Sequence, residues 1–241
     1  MINKIDHYSV SSMQLAANCP RAFWAKYVLK KEQASGEAAS FGQQYDQQVS
    51  ARLGCKIHKE EKPVSRLVDG VEEAVIGYMC QPHALKTATD AQVPINITPL
   101  QWQLMAEIHG FYAEIKKPII GFIDLWDAKN RVVVDLKTSA SKRTTPGWAL
   151  QVLVYSLAQQ ANEAKIHLMT RTKTPAYYEF IVPISKQSLT WAMHWFTHQA
   201  NEVERWLADG CGECLPRNPD YHCSWCPEQL ECPATNVILG G

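Results

Sequence analysis

"GFIDLWDAKNRVVVDLKTS", residues 121–139, decides how the chain is read. Two runs rich in β-branched and aromatic residues, 119–126 and 131–136, flank Asp127, Ala128, Lys129 and Asn130, which suit a turn, so the stretch predicts a β-hairpin. Side chains at i and i+2 of a strand share a face, which puts Asp135 and Lys137 together and turns Leu136 away. Taken alone, such a pair is an ordinary half-exposed ion pair at a strand end. Counting from the turn, however, Asp124 comes across the hairpin toward Asp135, giving two carboxylates and one lysine. Such donors suit Mg²⁺ or Mn²⁺, which bind carboxylate and carbonyl oxygens and keep several waters. The lysine is then free to act on a bound water or a phosphate.

The next segment, "PGWALQVLVYSLAQQ" (residues 146–160), predicts an amphipathic helix with Leu150, Leu153, Val154 and Leu157 at helical spacing and Gln151 and Tyr155 four apart on one face. "GFID" followed by "DLK" resembles the G-x-x-D…(D/E)-x-K core of the PD-(D/E)XK nuclease superfamily, and Gln151-x-x-x-Tyr155 is similar to the motif that follows the active lysine in RecB-like nucleases. The resemblance implies an α/β fold: a restriction-endonuclease-like core with a mixed central sheet flanked by helices. It implies that Asp124, Asp135 and the Leu136 carbonyl hold Mg²⁺ or Mn²⁺, that Lys137 orients a water or stabilises developing charge, and that Gln151 and Tyr155 support the lysine, the metal shell or the nucleic acid.

Composition is that of an ordinary globular chain. At 241 residues it can bury a substantial core, and 24 Lys plus Arg against 24 Asp plus Glu leave no global basic field, so any DNA contact must come from a local groove. The start, "MINKIDHYSV", carries charges where a signal peptide needs an apolar core, and no apolar run reaches the length of a membrane span. A cytoplasmic protein with no membrane partner is expected, its cysteines reduced, buried or metal-bound.

Those cysteines are unevenly spread. Cys55 and Cys80 read as small buried hydrophobes, whereas Cys211, Cys214, Cys223, Cys226 and Cys232 crowd into "CGECLPRNPDYHCSWCPEQLEC". So dense a group implies a metal. One alternative is zinc on Cys211, Cys214, Cys223 and Cys226, with a shorter spacer than usual. The other is a [4Fe-4S] cluster on Cys19, Cys223, Cys226 and Cys232. "NCPRAFW" around Cys19 resembles the N-terminal element of iron-sulfur RecB-like exonucleases, in which one early cysteine and a terminal C-x₂-C-x₅-C group close around a cluster. The resemblance therefore implies an iron-sulfur lobe joining the chain ends. Its nearest groups are CRISPR-associated RecB-like nucleases, AddB-type nuclease domains and phage RecB-family exonucleases. One position departs from it: where the family often has G-x-x-x-H, "FGQQYDQQV" puts Asp46 four residues after Gly42, and aspartate can take the same metal.

Elsewhere, residues 12–31, 39–54 and 64–80 read as helical, the first capped by Ser11 or Ser12 and the last with Val71, Val75 and Tyr78 inward. Residues 82–99 read as loop with a strand at 93–97. "LQWQLMAEIHGFYAEI" has helical composition, yet Trp102, Leu104, Ala106 and Ile108 alternate, and the resemblance favours a strand. Two further strands and a helix over 185–209 follow. His194 and His198 lack the glutamate of a zinc protease and read as a helical face, while Trp191, Trp195 and Trp206 read as core packing. Arg171 and Lys173, after a strand, can touch phosphates or simply meet solvent. The expectation is one nuclease domain over 1–241, with a helical part to about 98, a core over 99–184 and a cysteine-bearing end from 185. Its chemistry would be metal-dependent hydrolysis of DNA, exonucleolytic and on single strands, in recombination, phage or CRISPR settings. The alternatives are a DNA-binding or assembly module that cuts weakly or not at all, and a zinc-stabilised nuclease.

Overall fold

The computed structural model describes residues 5–32, 36–59, 68–218, 223, 226–229 and 232. They form two compact units, one of segments Glu37–Asn96 and Ile120–Ala192, the other of Met1–Gly36, Ile97–Ile119 and Met193–Gly241.

The first unit is built on a six-stranded sheet, β1 (Lys56–Ile57), β2 (Asp90–Ile97), β3 (Ile119–Asp127), β4 (Val132–Ser139), β5 (Glu163–Thr170) and β6 (Tyr177–Val182), lying in that order. It is mixed: β1 runs parallel to β2, β3 antiparallel to β4, β4 parallel to β5 and β5 antiparallel to β6. The β3–β4 hairpin is the one the sequence predicts. Its turn is closed by Asp127, whose carboxylate accepts from the Asn130 backbone N–H at 2.9 Å and side-chain amide at 2.7 Å. Parallel pairing of β4 with β5 requires a crossover, which α6 (Pro146–Gln159) supplies, with proline at its first turn and Gln160 in the left-handed region at its end. Leu150, Leu153, Val154 and Leu157 are buried as the periodicity requires.

Helices α3 (Glu37–Leu53) and α4 (Val71–Met79) cover part of the sheet. Phe41, Tyr45 and Val49, four apart, pack with Val71, Val75 and Tyr78 on Leu125, Val132, Val134, Leu136 and Met169. Leu136 pairs with His167 in the ladder, so this histidine is also fully buried. Its Nδ1 lies 3.1 Å from the Tyr78 hydroxyl and its Nε2 3.3 Å from Glu179, its cross-strand partner. Burial, with Lys165 and His83 adding repulsion, pushes its pKa down to about 3. A histidine held neutral in the folded state costs stability once the unfolded chain takes up its proton. Stability should therefore fall as pH drops from the ordinary histidine value of about 6.5 toward 3, by up to about 1.4 kcal/mol per pH unit. Urea unfolding at pH 7 and pH 5 should show this loss in the natural chain, and the loss should shrink by about 2 kcal/mol in His167→Gln. An unchanged pH slope would mean that the imidazole is protonated in place.

In the second unit, α1 (Val10–Asn18) is capped one turn earlier than expected: Ser9, not Ser11 or Ser12, accepts the Ser12 N–H, and the Ser12 hydroxyl accepts the Ser9 N–H. A short α2 (Pro20–Phe23) and a π turn (Trp24–Val28) follow. The largest correction is α5 (Pro99–His109), a helix where composition and alternation disagree and the resemblance favours a strand. Thr98 and Gln101 form a capping box, Pro99 occupies the first turn and Gly110 closes the helix in the left-handed region. Trp102 and Ala106, four apart, are buried, while Leu104 and Ile108, which a strand would have placed beside them, are exposed. The Trp102 indole N–H donates to Thr197 at 2.9 Å on α7 (Lys186–Asp209), whose Met193, Phe196, Ala200 and Val203 form its buried stripe. Trp191 lies off that stripe and is exposed, against the core reading; Trp195 and Trp206 are half-buried. Phe111 stacks on His194 at 4.0 Å. No helix among the described residues is long and apolar enough to cross a membrane.

Candidate active site

The predicted carboxylates and lysine meet within the sheet-bearing unit. Asp124, one residue beyond the Leu125–Val134 pair of the hairpin, turns its Oδ2 onto the Leu136 N–H at 2.8 Å, while Oδ1 accepts from Gln92 at 3.2 Å. Asp135 is fully buried, with Oδ1 accepting from Lys137 Nζ at 2.9 Å. Nζ also stands 2.7 Å from Oδ2, an ion-pair contact without hydrogen-bond geometry, so Oδ2 is a buried oxygen with no hydrogen bond. From Lys137 the contacts run on to Gln151 Oε1 at 3.3 Å, and the Gln151 amide donates to the Tyr155 hydroxyl at 3.1 Å. The four-residue spacing on α6 thus lines a glutamine and a tyrosine up behind the lysine. Tyr155 also explains the glycine of "GFID": a Cβ on Gly121 would stand 3.0 Å from its ring and its hydroxyl.

Electrostatics bring Asp46 into the same group. Burial, then the Asp124 and Asp135 charges, push its carboxyl far up, with Lys137 pulling the other way. Burial and Asp124 likewise raise Asp135 to about 7, against the pull of Lys137. Burial alone would lower Lys137, but Asp135 and Asp124 outweigh it and hold the ammonium charged. Tyr155 is kept protonated by burial and by the same two carboxylates. Three carboxylates thus crowd one lysine in a poorly solvated place, a demand for positive charge that one ammonium does not meet. Hard oxygen donors, one of them a buried oxygen with no hydrogen bond, fit Mg²⁺ or Mn²⁺. Their rotamers are not closed around a point, since among the described residues no three His, Cys, Asp or Glu side chains are arranged to hold a metal.

Sequence reasoning missed Gln92, which anchors Asp124 from β2. It stands in the left-handed region at φ 51°, and nothing in "DAQVP" signals this.

The cysteines bear differently on the two alternatives. Cys211 and Cys214 are joined in a disulfide, which removes both from the zinc set and corrects that reading. Cys80 is exposed, against its reading as a small buried hydrophobe, whereas Cys55 is half-buried and packs on the α3–α4 core. Cys19, Cys223, Cys226 and Cys232 form no disulfide and are half-buried. Burial raises the Cys226 thiol, and the nearby Cys19 and Cys223 raise it further, so these three thiols are neighbours without metal-ligand geometry. The residues flanking Cys232 lie outside the described ones. What the structure displays between these segments is an ion pair. Arg21, two residues after Cys19, donates to both oxygens of Glu228, two residues after Cys226, at 2.5 and 2.6 Å.

A crystal structure of a protein from Eubacterium rectale, provisionally named an exonuclease, is similar over 96% of this chain and 88% of its own, with a TM-score of 0.60 at 15% identity, a likeness of fold. A second solved structure, of SSO0001, aligns over 98% of this chain and 90% of its own at 15% identity, with a TM-score of 0.44. No curated protein matches the chain in sequence. The family model of the PD-(D/E)XK nuclease superfamily matches residues 7–233, spanning Asp46, the hairpin with Asp124, Asp135 and Lys137, and the Gln151–Tyr155 helix. That match covers nearly the whole chain, and the chain belongs to the PD-(D/E)XK nuclease superfamily.

Proposed function

We propose that the chain is a Mg²⁺- or Mn²⁺-dependent deoxyribonuclease, one domain over residues 1–241, acting as an exonuclease on single-stranded DNA. The observation that carries the reading is the Asp135 carboxylate: buried, crowded by Asp124, one oxygen without a hydrogen bond, and set against a lysine that stays charged. Asp46, Asp124, Asp135 and the Leu136 carbonyl are the donors for the cation, which when bound supplies an acidified water and neutralises charge on the phosphate. Lys137, being an ammonium, does not accept a proton from that water; it holds the nucleophile in line or meets the negative charge that grows on the phosphate. Gln151 fixes the ammonium, and Tyr155, kept protonated, fixes Gln151. Gln92 and the Leu136 N–H hold Asp124 in place.

The test is hydrolysis of end-labelled single- and double-stranded DNA with and without chelator. Metal-dependent shortening from an end of the single strand is expected. A protein that binds DNA but leaves it intact under every metal would instead be the assembly module. Asp46→Ala should weaken activation by Mg²⁺, whereas Asp46→His should keep activity and shift preference toward metals that accept imidazole. Superimposable metal titrations would show that Asp46 is no ligand.

The cofactor of the second unit is a separate part of the proposal. A [4Fe-4S] cluster on Cys19, Cys223, Cys226 and Cys232 is supported by the resemblance around Cys19 and by the nearness of three of these thiols. Protein purified without oxygen should carry iron and sulfide and lose both in Cys19→Ala. Stoichiometric zinc without iron would overturn it. Cytoplasmic DNA processing in recombination, phage or CRISPR adaptation, beside the proteins of those assemblies, is the setting the resemblance supports.

A further inference from the structure

The chain is neutral overall, but its charge is not evenly laid out. Between residues 136 and 178 stand Lys137, Lys142, Arg143, Lys165, Arg171 and Lys173, and the one acid is Glu163. Parallel pairing brings the ends of β4 and β5 side by side: Lys137 pairs with Leu168 and Ser139 with Thr170, and the Arg171 N–H donates to Ser139 at 2.7 Å. Arg171 therefore lies three residues, about 10 Å, beyond the level of Lys137 on the neighbouring strand. There the sheet-bearing unit has a groove of about 650 Å³, lined by Thr170, Arg171, Thr172 and Lys173 and by the acids Glu37, Asp69 and Glu73. The Arg171 Nε is buried with no hydrogen-bond partner.

Helix α3 joins this groove to the carboxylates. Ala38 lines the groove, Gly42 follows one turn on, and Asp46 follows one turn after that, so all three share a face over about 12 Å. At Gly42 a Cβ would stand 3.3 Å from the Thr138 hydroxyl, so glycine lets α3 lie close against the end of β4.

We infer that this groove is a subsite for the phosphodiester backbone of the strand next to the phosphate being cut, with Arg171 and Lys173 as its phosphate-binding side chains. Arg171 offers a planar fork suited to phosphate oxygens, and the threonine hydroxyls beside it add neutral donors. Glu37, Asp69 and Glu73 repel phosphate, so the backbone keeps to Thr170, Arg171, Thr172 and Lys173 and the bases meet the carboxylates, which accept from exocyclic amines.

The subsite rests on the nuclease reading, and the two fail separately. Binding of a short labelled single-stranded oligodeoxynucleotide is measured by anisotropy in an inactive Lys137→Ala background, and turnover in the otherwise intact protein. Lys173→Ala and Arg171→Ala should each lower the slope of log affinity against log salt by about 0.7. Both should raise KM severalfold and leave kcat nearly unchanged. Glu73→Gln should tighten binding, and Lys129→Ala, in the hairpin turn, should leave the slope as it was. Lys173 is exposed, so its variant reads out even if Arg171→Ala is poorly folded. A protein that hydrolyses nothing yet loses slope in Lys173→Ala keeps the subsite and overturns the nuclease reading. A working nuclease whose slope and KM are unmoved by Lys173→Ala overturns the subsite.

Discussion

Asp135→Ala and Lys137→Ala are each expected to lower metal-dependent DNA hydrolysis by about a thousandfold, the scale of losing one preorganised electrostatic group at a reacting centre. The two losses should differ in kind. Asp135 Oδ2 is the buried oxygen left without a hydrogen bond, so its removal takes away a donor for the cation and should show as weakened Mn²⁺ binding by calorimetry. Lys137 is no metal donor. Taking it away relieves none of the crowding among Asp46, Asp124 and Asp135, so the cation should bind as well or better while turnover falls. The natural protein should also lose metal affinity as pH falls below about 7, because the cation competes with the proton that Asp135 takes up there. Hydrolysis at the natural rate in either variant would reduce the hairpin trio to a structural ion pair.

Much of this was legible because it is local. The hairpin, its turn and the shared face of Asp135 and Lys137 follow from a period of two over a dozen residues, and the Gln151–Tyr155 spacing follows from the helical period. The failure at residues 99–109 is also local and was avoidable. Thr98, Pro99 and Gln101 spell a helix start and Gly110 a helix end, and these signals outrank a short alternation in which two of four apolar residues turn out to be exposed. Gln92 was not legible. Its contact with Asp124 spans 32 positions and depends on a backbone conformation that the residue type does not announce. Nor could spacing reveal the Cys211–Cys214 disulfide, since a C-x₂-C pair is as consistent with a metal as with a bond between its own sulfurs.

The carboxylates proposed for the active site work against folding, and this shapes what the rest of the molecule has to do. Asp46 and Asp135 have raised pKa values, so without a cation their ionisation costs stability at neutral pH, and that cost lessens as pH falls below the folded values. His167 has the opposite sign, since it loses stability below its ordinary value. A cation relieves the first effect and leaves the second alone. Mn²⁺ should therefore raise the unfolding midpoint more at pH 8 than at pH 5.5, which melting at the two pH values would check.

Glu228→Ala is expected to destabilise the natural chain by about 3 kcal/mol, because it strips both hydrogen bonds from a buried guanidinium and leaves the charge of Arg21 poorly compensated. Arg21 and Glu228 are each less than 10% exposed, and their bidentate geometry is the strong form of the pair. Lys31 adds a third charge, donating to Glu228 at 2.8 Å. Burial would raise the Glu228 carboxyl, but Lys31 and Arg21 hold it below its usual value, so this stabilisation is present near neutrality and fades as pH falls through the acid range. Lys31 and Glu213, which also reaches Arg21, are partly exposed, so water meets the edge of the cluster and keeps the expected loss at the lower end for a buried pair. Replacing both partners, as in Arg21→Met with Glu228→Leu, should recover most of the loss, since two apolar side chains leave no charge to desolvate. Urea unfolding of the two single variants and the double variant completes the cycle. A coupling energy near zero would show that Arg21 is solvated in the folded state. A large one would establish this ion pair as a tie between the Cys19 and Cys226 segments that holds whether or not iron is bound.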